Sequence, residues 1–342
     1  MVLVTGGTGM LGAHLILHLL KKGEQVRALR RSTSDLNKTI QIFSFYEKDP
    51  MELFNKIEWV EGDILERHSL DLILDDITTI YHTAAVVSFQ KKDKWTMLEN
   101  NVDGTANLIN AALDAGIKKF CHVSSIAALG KTENGDPADE TTIWSSEKKV
   151  SAYSESKFFS EMEAWRGVNE GMDVVIVNPS IILGPGDWHT GSPKYFSTID
   201  KGLKFFTKGA SGYVDVNDVC RSMLMLINSS EWEHVKNKRY ILNADNLAHR
   251  DVFNNIADEL GKKRPSIQAS KCMLIIGWLL SSIKAALTGK ESTLTRSTLR
   301  SANNVSRYNG QLITTVIPFN YTPISDSIKE IAKIYKQAIS SL

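Results

Sequence analysis

The sequence predicts an α/β protein: a Rossmann-type doubly wound parallel sheet with a smaller, mostly helical C-terminal substrate domain. Three observations predict it. The chain opens on Val2-Leu3-Val4-Thr5-Gly6-Gly7-Thr8-Gly9-Met10-Leu11-Gly12, a strand, a glycine turn and a helix start run together. Short β-branched runs then alternate with helical patterns as far as about residue 178. Beyond that the alternation weakens, and from His249 the pattern is mostly helical. The predicted division is a dinucleotide-binding domain over 1–178 with a return segment at about 213–245. Segments 179–212 and 246–342 then form the substrate domain.

A chain of 342 residues with a net charge of +1 makes one large or two smaller domains, and has no field to gather nucleic acid or an anionic membrane. Cys121, Cys220 and Cys272 share no CxxC spacing and cannot all pair, which reads as a reduced, cytoplasmic setting. Met1 is followed at once by strand residues, so no signal peptide is expected.

In the opening turn, glycines let backbone N–H groups approach a pyrophosphate, and the helix start adds its partial positive charge. The first helix is expected over about Met10 to Lys22, with Leu11, Leu15 and Leu19 on one face and Gly23 as its C-terminal stop. His14 and His18 share a helical face, but no third ligand lies nearby, so they read as packing residues and no metal is expected. The second strand, Gln25 to Leu29, runs into Arg30-Arg31-Ser32-Thr33, where this fold meets the adenosine ribose. An acid there suits a 2′-hydroxyl and arginine a 2′-phosphate. The pair, with no acid before Asp35, favours NADP(H) over NAD(H), Arg30 and Arg31 clamping the phosphate with help from Ser32 and Thr33.

A helix and loop over 35–56 precede the third strand, Ile57 to Val60, after which Asp63 and Ile64 sit within reach of an adenine. A helix at Leu70 to Leu74 leads to the fourth strand, Thr79 to His82. Thr83, Ala84 and Ala85 follow, small enough for a cofactor to cross the sheet edge. One helix is expected from Lys94 to Ala115, containing Asn101 and stopping at Gly116. The fifth strand, Lys119 to Val123, delivers Ser124 and Ser125 to its C-terminal end, the edge where open α/β sheets bind ligands. A helix from about Lys149 carries Tyr153 and Lys157, and the sixth strand, Asp173 to Val177, ends at Asn178-Pro179-Ser180. Trp188, His189, Tyr195 and Phe196 fall in an irregular stretch suited to lining a pocket. Val214 to Val219 and Tyr240 to Leu242 read as the return to the first domain. Cys272 to Leu287 is apolar but shorter than the ~20 residues of a membrane span. It reads as a buried or pocket-lining helix, with an interfacial membrane contact as the alternative.

Tyr153 and Lys157 are four residues apart and project from one helical face. A phenol titrates near pH ~10. A neighbouring ammonium, with the positive ring of an oxidised nicotinamide, is expected to stabilise the phenolate. The hydroxyl can then give a proton to a carbonyl oxygen as hydride arrives, or take one in reverse. A serine hydroxyl holding the same oxygen completes the set.

These motifs resemble those of the extended short-chain dehydrogenases/reductases, and the similarity covers nearly the whole chain. Thr5 to Gly12 matches the TGxxGxxG loop and Tyr153 to Lys157 the YxxxK pair. The family's serine lies five residues before a glycine, which selects Ser125, before Gly130, over Ser124. The resemblance implies that Thr5, Gly6, Gly7, Thr8, Gly9, Met10, Leu11 and Gly12 hold the cofactor pyrophosphate side. It implies that Asp63 and Ile64 meet the adenine, that Thr83, Ala84, Ala85 and Val123 line the crossing, and that Pro179 and Ser180 lead past the nicotinamide. Lys157 would also hold the nicotinamide ribose, and Asn101 matches an asparagine on the fourth helix more loosely. Dehydratases of the family place Asp-Glu where this chain has Ile126-Ala127, which disfavours elimination. The arginine pair and the Asn178 to Asp187 stretch look more like the dihydroflavonol reductase and 3β-hydroxysteroid dehydrogenase branch.

The expected activity is NADPH-dependent reduction of a carbonyl on a small organic substrate. The alternatives are a nucleotide-sugar epimerase with retained cofactor, for which Lys194, Lys204 and Lys208 could meet a diphosphate, and a non-enzymatic NADPH sensor. Members of the family often dimerise through helices of the cofactor domain, so a homodimer is an open expectation.

Overall fold

In the computed structural model, which describes residues 1–132, 135–144, 150–270, 273, 275 and 302–340, seven strands form one parallel sheet. They are β1 (Val2–Thr5), β2 (Val26–Arg30), β3 (Glu58–Glu61), β4 (Thr79–His82), β5 (Lys119–Val123), β6 (Asp173–Pro179) and, after three strands that lie outside this sheet, β10 (Lys238–Leu242). Their order is β10-β6-β5-β4-β1-β2-β3. Chain direction across the sheet therefore reverses between β1 and β4, and the crevice of a doubly wound fold opens at that switch point. Register brings Thr5 beside Leu29 and His82, and His82 beside His122, so the strand ends share one edge.

Alternation along β1 sets the layers. Val2 and Val4 pack with Leu15, Ile16 and Met223 on one face, while Leu3 points to Leu70, Leu108 and Ile109 on the other. Helix Met10–Lys21 covers the first face together with helix Val216–Ile227, and Gly23, at φ +81°, ends the former. The second face is covered by helices Gly104–Asp114 and Ala152–Asn169.

A separate three-stranded sheet, β11-β9-β7, is built from β7 (Ile181–Leu183), β9 (Ala210–Asp215) and β11 (Asp245–Ala248). Two short strands, β8 (Phe205–Phe206) and β12 (Ile267–Gln268), pair beside it. Helices His249–Leu260 and Ile324–Ser340 close a third apolar core with Leu183, Phe196 and Tyr213.

Several expectations are corrected. The predicted helix at Leu70 to Leu74 lies at Arg67–Asp71, with Leu70 its buried anchor. The single helix from Lys94 to Ala115 is three pieces: Lys94–Leu98, a π-helical turn at Glu99–Asp103, and Gly104–Asp114. Trp188 and Phe196 are packed into the third apolar core. A helix at Lys194–Asp200 turns Phe196 and Ile199 inward, and Trp188 packs against Phe45 at 5.8 Å and Tyr335 at 5.0 Å. Tyr195 meets the edge of Phe253, and His189 is exposed. Strand β9 belongs to the small sheet, so the return to the large one is made by helix Val216–Ile227 and β10. Apart from Met273 and Ile275, the apolar 272–287 segment lies outside the described residues. Among the described residues no helix is long and apolar enough to cross a membrane.

Candidate active site

Thr5 closes β1, and the chain turns at Gly6 with φ +74°. A side chain there would place its Cβ 2.7 Å from the Ala84 amide nitrogen, so β4 and the turn approach as only glycine allows. At Gly12 a Cβ would overlap the Gly6 carbonyl oxygen. Gly9 donates its amide to Gly6 at 2.9 Å, and Thr39 donates its hydroxyl to the Gly7 carbonyl at 3.1 Å. Helix Met10–Lys21 starts behind this turn with no side-chain cap and no acid in its first turn. Its leading N–H groups and positive end are those of an anion site, and the cradle fits a dinucleotide pyrophosphate.

Around that cradle the remaining predicted cofactor residues fall unevenly. Arg30 is paired with Glu61 at 3.2 Å, whereas Arg31 and Ser32 are exposed. One Asp63 carboxylate oxygen accepts from the Leu65 amide at 3.0 Å, and Ile64 is nearly buried beneath Gly104. Thr83 donates to the Thr5 carbonyl at 2.6 Å, with Ala84 and Ala85 following along the crevice. Two of the predicted residues have their side chains engaged within the protein. Both polar atoms of the Asn101 side chain are taken, by the Val86 backbone at 2.7 and 2.9 Å and by Ser156 at 3.0 Å. The asparagine therefore ties the loop after β4 to the helix of Tyr153. The Ser180 hydroxyl is buried on the Leu242 carbonyl at 3.1 Å. Pro179, also buried, ends β6.

Helix Ala152–Asn169 begins at Ser151, whose hydroxyl accepts from the Ser154 amide at 3.0 Å. Its first turn brings Tyr153 to the end of β5, close enough to Ser125 for the serine to act on the phenol. Ser125 is also held by the Ala127 amide at 3.1 Å. Ser124, by contrast, is buried with its hydroxyl on Glu161 at 2.5 Å. One turn further along, Lys157 donates to the Val123 carbonyl at 2.7 Å. Tyr153, Ser125, Lys157 and Val123 thus meet at one strand end, two strands from the glycine turn.

The electrostatics differ from the expectation. Burial pushes the Tyr153 phenol above its ordinary value, and Ser125 beside it pulls the other way. Lys157 is itself lowered to about 8, because burial penalises its charge while Glu161 favours it. The ammonium donates to the Val123 carbonyl, a neutral acceptor. Behind it, His82 bridges Thr5 at 2.7 Å and Thr105 at 2.9 Å, and burial drives its imidazole down to about 3. His122 is lowered in the same way. Glu161, His82 and His122 were not singled out from the sequence. Only the stripe 153, 157, 161 at four-residue steps could have drawn attention to Glu161. His14 hydrogen-bonds the Met10 carbonyl and Tyr46, and His18 hydrogen-bonds Asn217.

The family model of the NAD dependent epimerase/dehydratase family matches residues 2–240. The chain belongs to that family. Among its relatives, "Putative dihydroflavonol 4-reductase" of Synechocystis sp. is 34% identical over 77% of this chain and 73% of that protein. "Sterol demethylase protein B" of Methylococcus capsulatus is 29% identical over 78% of this chain and 76% of its own. The crystal structure of gox2253 superposes with a TM-score of 0.80 at 28% identity, covering 98% of each chain. This member of the family is an NAD(P)-dependent oxidoreductase of the extended short-chain type, with the parallel Rossmann-like sheet of its structural neighbours.

Proposed function

We propose that the chain reduces a carbonyl of a small organic substrate with NADPH, Tyr153 donating the proton, Ser125 orienting the carbonyl oxygen and Lys157 holding the nicotinamide ribose. One observation carries it: a buried phenol, raised above its ordinary value, and a serine hydroxyl lie side by side at the end of β5, on the same sheet edge as a glycine cradle shaped for a pyrophosphate. The raised phenol stays protonated at neutral pH, the form a reduction needs. Bound NADPH supplies the hydride to the carbonyl carbon. Tyr153 would give its proton to the carbonyl oxygen as negative charge gathers there, and Ser125 would hold a hydrogen bond to the same oxygen. The relative named a dihydroflavonol 4-reductase supports a ketone or aldehyde substrate. Strand β10 joining the large sheet supports the 213–245 segment as a return to a 1–178 cofactor domain, with 179–212 and 246–342 over the substrate. Free, buried thiols at Cys121 and Cys220 support a cytoplasmic setting. NADPH oxidation measured across aldehydes, ketones and sugar nucleotides tests the reading. Turnover of a UDP-sugar with no net NADPH consumption would replace it with epimerisation.

The cofactor preference rests on Arg31, the exposed guanidinium of the pair, since Arg30 is shared with Glu61. A charge-assisted hydrogen bond contributes ~1.5–3 kcal/mol, so NADPH should bind at least about 10-fold tighter than NADH. Arg31→Ala should remove most of that difference and leave NADH affinity alone. Isothermal titration of both nucleotides decides it, and equal wild-type affinities would refute the preference.

The same reading includes a homodimer. Trp95, Phe159 and Met162 are 76%, 41% and 37% exposed on neighbouring helices of the cofactor domain, an apolar strip unusual for a free surface. Sedimentation at micromolar concentration should show a dimer that Trp95→Asp converts to a monomer. A monomeric wild type would overturn the dimer.

A further inference from the structure

We infer that Glu161 is a positioning residue for the proton-donating pair, a buried carboxylate that keeps Lys157 charged and fixes the backbone that presents Ser125. The inference rests on the reductase reading for its consequence, but its geometry stands on its own.

Tyr153, Lys157 and Glu161 follow one another at four-residue steps along helix Ala152–Asn169, so the carboxylate lies one turn behind the ammonium. Glu161 is 0% exposed. A buried carboxylate persists only when its oxygens are satisfied, and here donors arrive from both sides. One oxygen accepts from the Ser124 hydroxyl at 2.5 Å and the Asn178 amide at 2.7 Å. The other accepts from Arg239 at 3.1 Å and Trp165 at 3.3 Å. These partners close on Ser125. Ser124 is its chain neighbour, and the Asn178 amide that touches Glu161 also donates to the Ser125 carbonyl at 3.1 Å. Arg239 extends the hold to the carbonyl of Glu140 at 2.8 Å, in the loop ahead of the helix.

The charge matters as much as the hold. Lys157 is buried with a neutral carbonyl as its hydrogen-bond partner, and burial has brought it down to about 8. Glu161 is the group that works against that fall. The other titratable groups facing the lysine are His82 from β4, His122 from β5 and Tyr153 on its own helix. Burial keeps both imidazoles uncharged and the phenol protonated. Arg239 from β10 lies across Glu161, paired with it. Among the described residues, Glu161 is the carboxylate that acts on the ammonium. Without the Glu161 charge, Lys157 would give up its proton closer to neutral pH, and the ribose would meet an amine in place of an ammonium.

The test reads the lysine directly and needs no turnover, so it stays separate from the outcome of the substrate screen. Lysines labelled with ¹³C at Cε are titrated by NMR in the full chain, the Lys157 signal being the one lost in Lys157→Arg. In Glu161→Gln the Lys157 midpoint should drop by roughly half a pH unit or more, a proton affinity about threefold weaker. A midpoint that stays put or rises overturns the inference. If Glu161→Gln does not fold, Glu161→Asp keeps the charge and withdraws it by one methylene. A smaller drop in the same direction is then expected, and none would again overturn the inference. A purely structural role for Glu161 would lower stability and leave the titration unmoved.

Discussion

Tyr153→Phe is expected to lower kcat for NADPH-dependent carbonyl reduction by about 10³-fold, within the range of ~10²–10⁴ that one general acid contributes. The change removes a single oxygen and keeps the ring, including its edge contact with Phe89 at 6.1 Å. Ser125 keeps the Ala127 amide on its hydroxyl, so the strand end should hold its shape. The glycine cradle is built from β1, β4 and the first helix, none of which Tyr153 supports. NADPH affinity should therefore stay within about twofold of wild type, because the lost interaction acts on charge that develops only in the transition state. Stopped-flow NADPH oxidation gives the first number and fluorescence titration the second. A variant retaining more than a tenth of the wild-type kcat would remove Tyr153 from the chemistry.

That separation was visible in the sequence because each part is written in residue type at short range. Gly6 and Gly12 mark places where a Cβ has no room, and such a constraint can be read from two letters six residues apart. The four-residue step from Tyr153 to Lys157 encodes a shared helical face. The choice of Ser125 over Ser124 came from the family resemblance, not from local spacing, and the fold buries Ser124 while leaving Ser125 beside the phenol. What stayed hidden depends on long-range contact. Glu161 draws its partners from positions 17, 37 and 78 residues away, and no local pattern announces a buried carboxylate with that many donors. The Tyr153 phenol lies above its ordinary value because burial, a property of the packed state that spacing does not encode, outweighs the lowering from Ser125. The π-helical turn at Glu99–Asp103 interrupts a helix whose apolar period runs on unbroken, so only the Asn101 bonds to Val86 and Ser156 reveal why it is there. Trp188 and Phe196 looked like pocket aromatics because their core partner, Tyr335, lies near the far end of the chain.

Gly12→Ala should have the complementary effect, a loss of NADPH affinity of about 100-fold or more. The new methyl would overlap the Gly6 carbonyl oxygen and stand 2.8 Å from the Thr83 hydroxyl, which is itself bonded to the Thr5 carbonyl at 2.6 Å. Both neighbours are fixed, one as backbone and one by that hydrogen bond, so relief must come from moving the turn away from the helix start. Overpacking of this kind costs ~1–3 kcal/mol of stability. The cost to binding is larger, because the displaced amides at the helix start are the charge-assisted donors for the pyrophosphate, at ~1.5–3 kcal/mol each. Misplacing two of them is enough for the expected loss. Gly23→Ala supplies the internal control: its φ of +81° strains an alanine, but nothing lies within 4 Å of the added Cβ, at the far end of the same helix. It should cost ~1 kcal/mol in stability and leave NADPH binding unchanged. Thermal melts and nucleotide titrations on the two variants separate backbone strain from damage to the cradle. If Gly12→Ala bound NADPH within threefold of wild type, the pyrophosphate would have to sit somewhere other than over this turn.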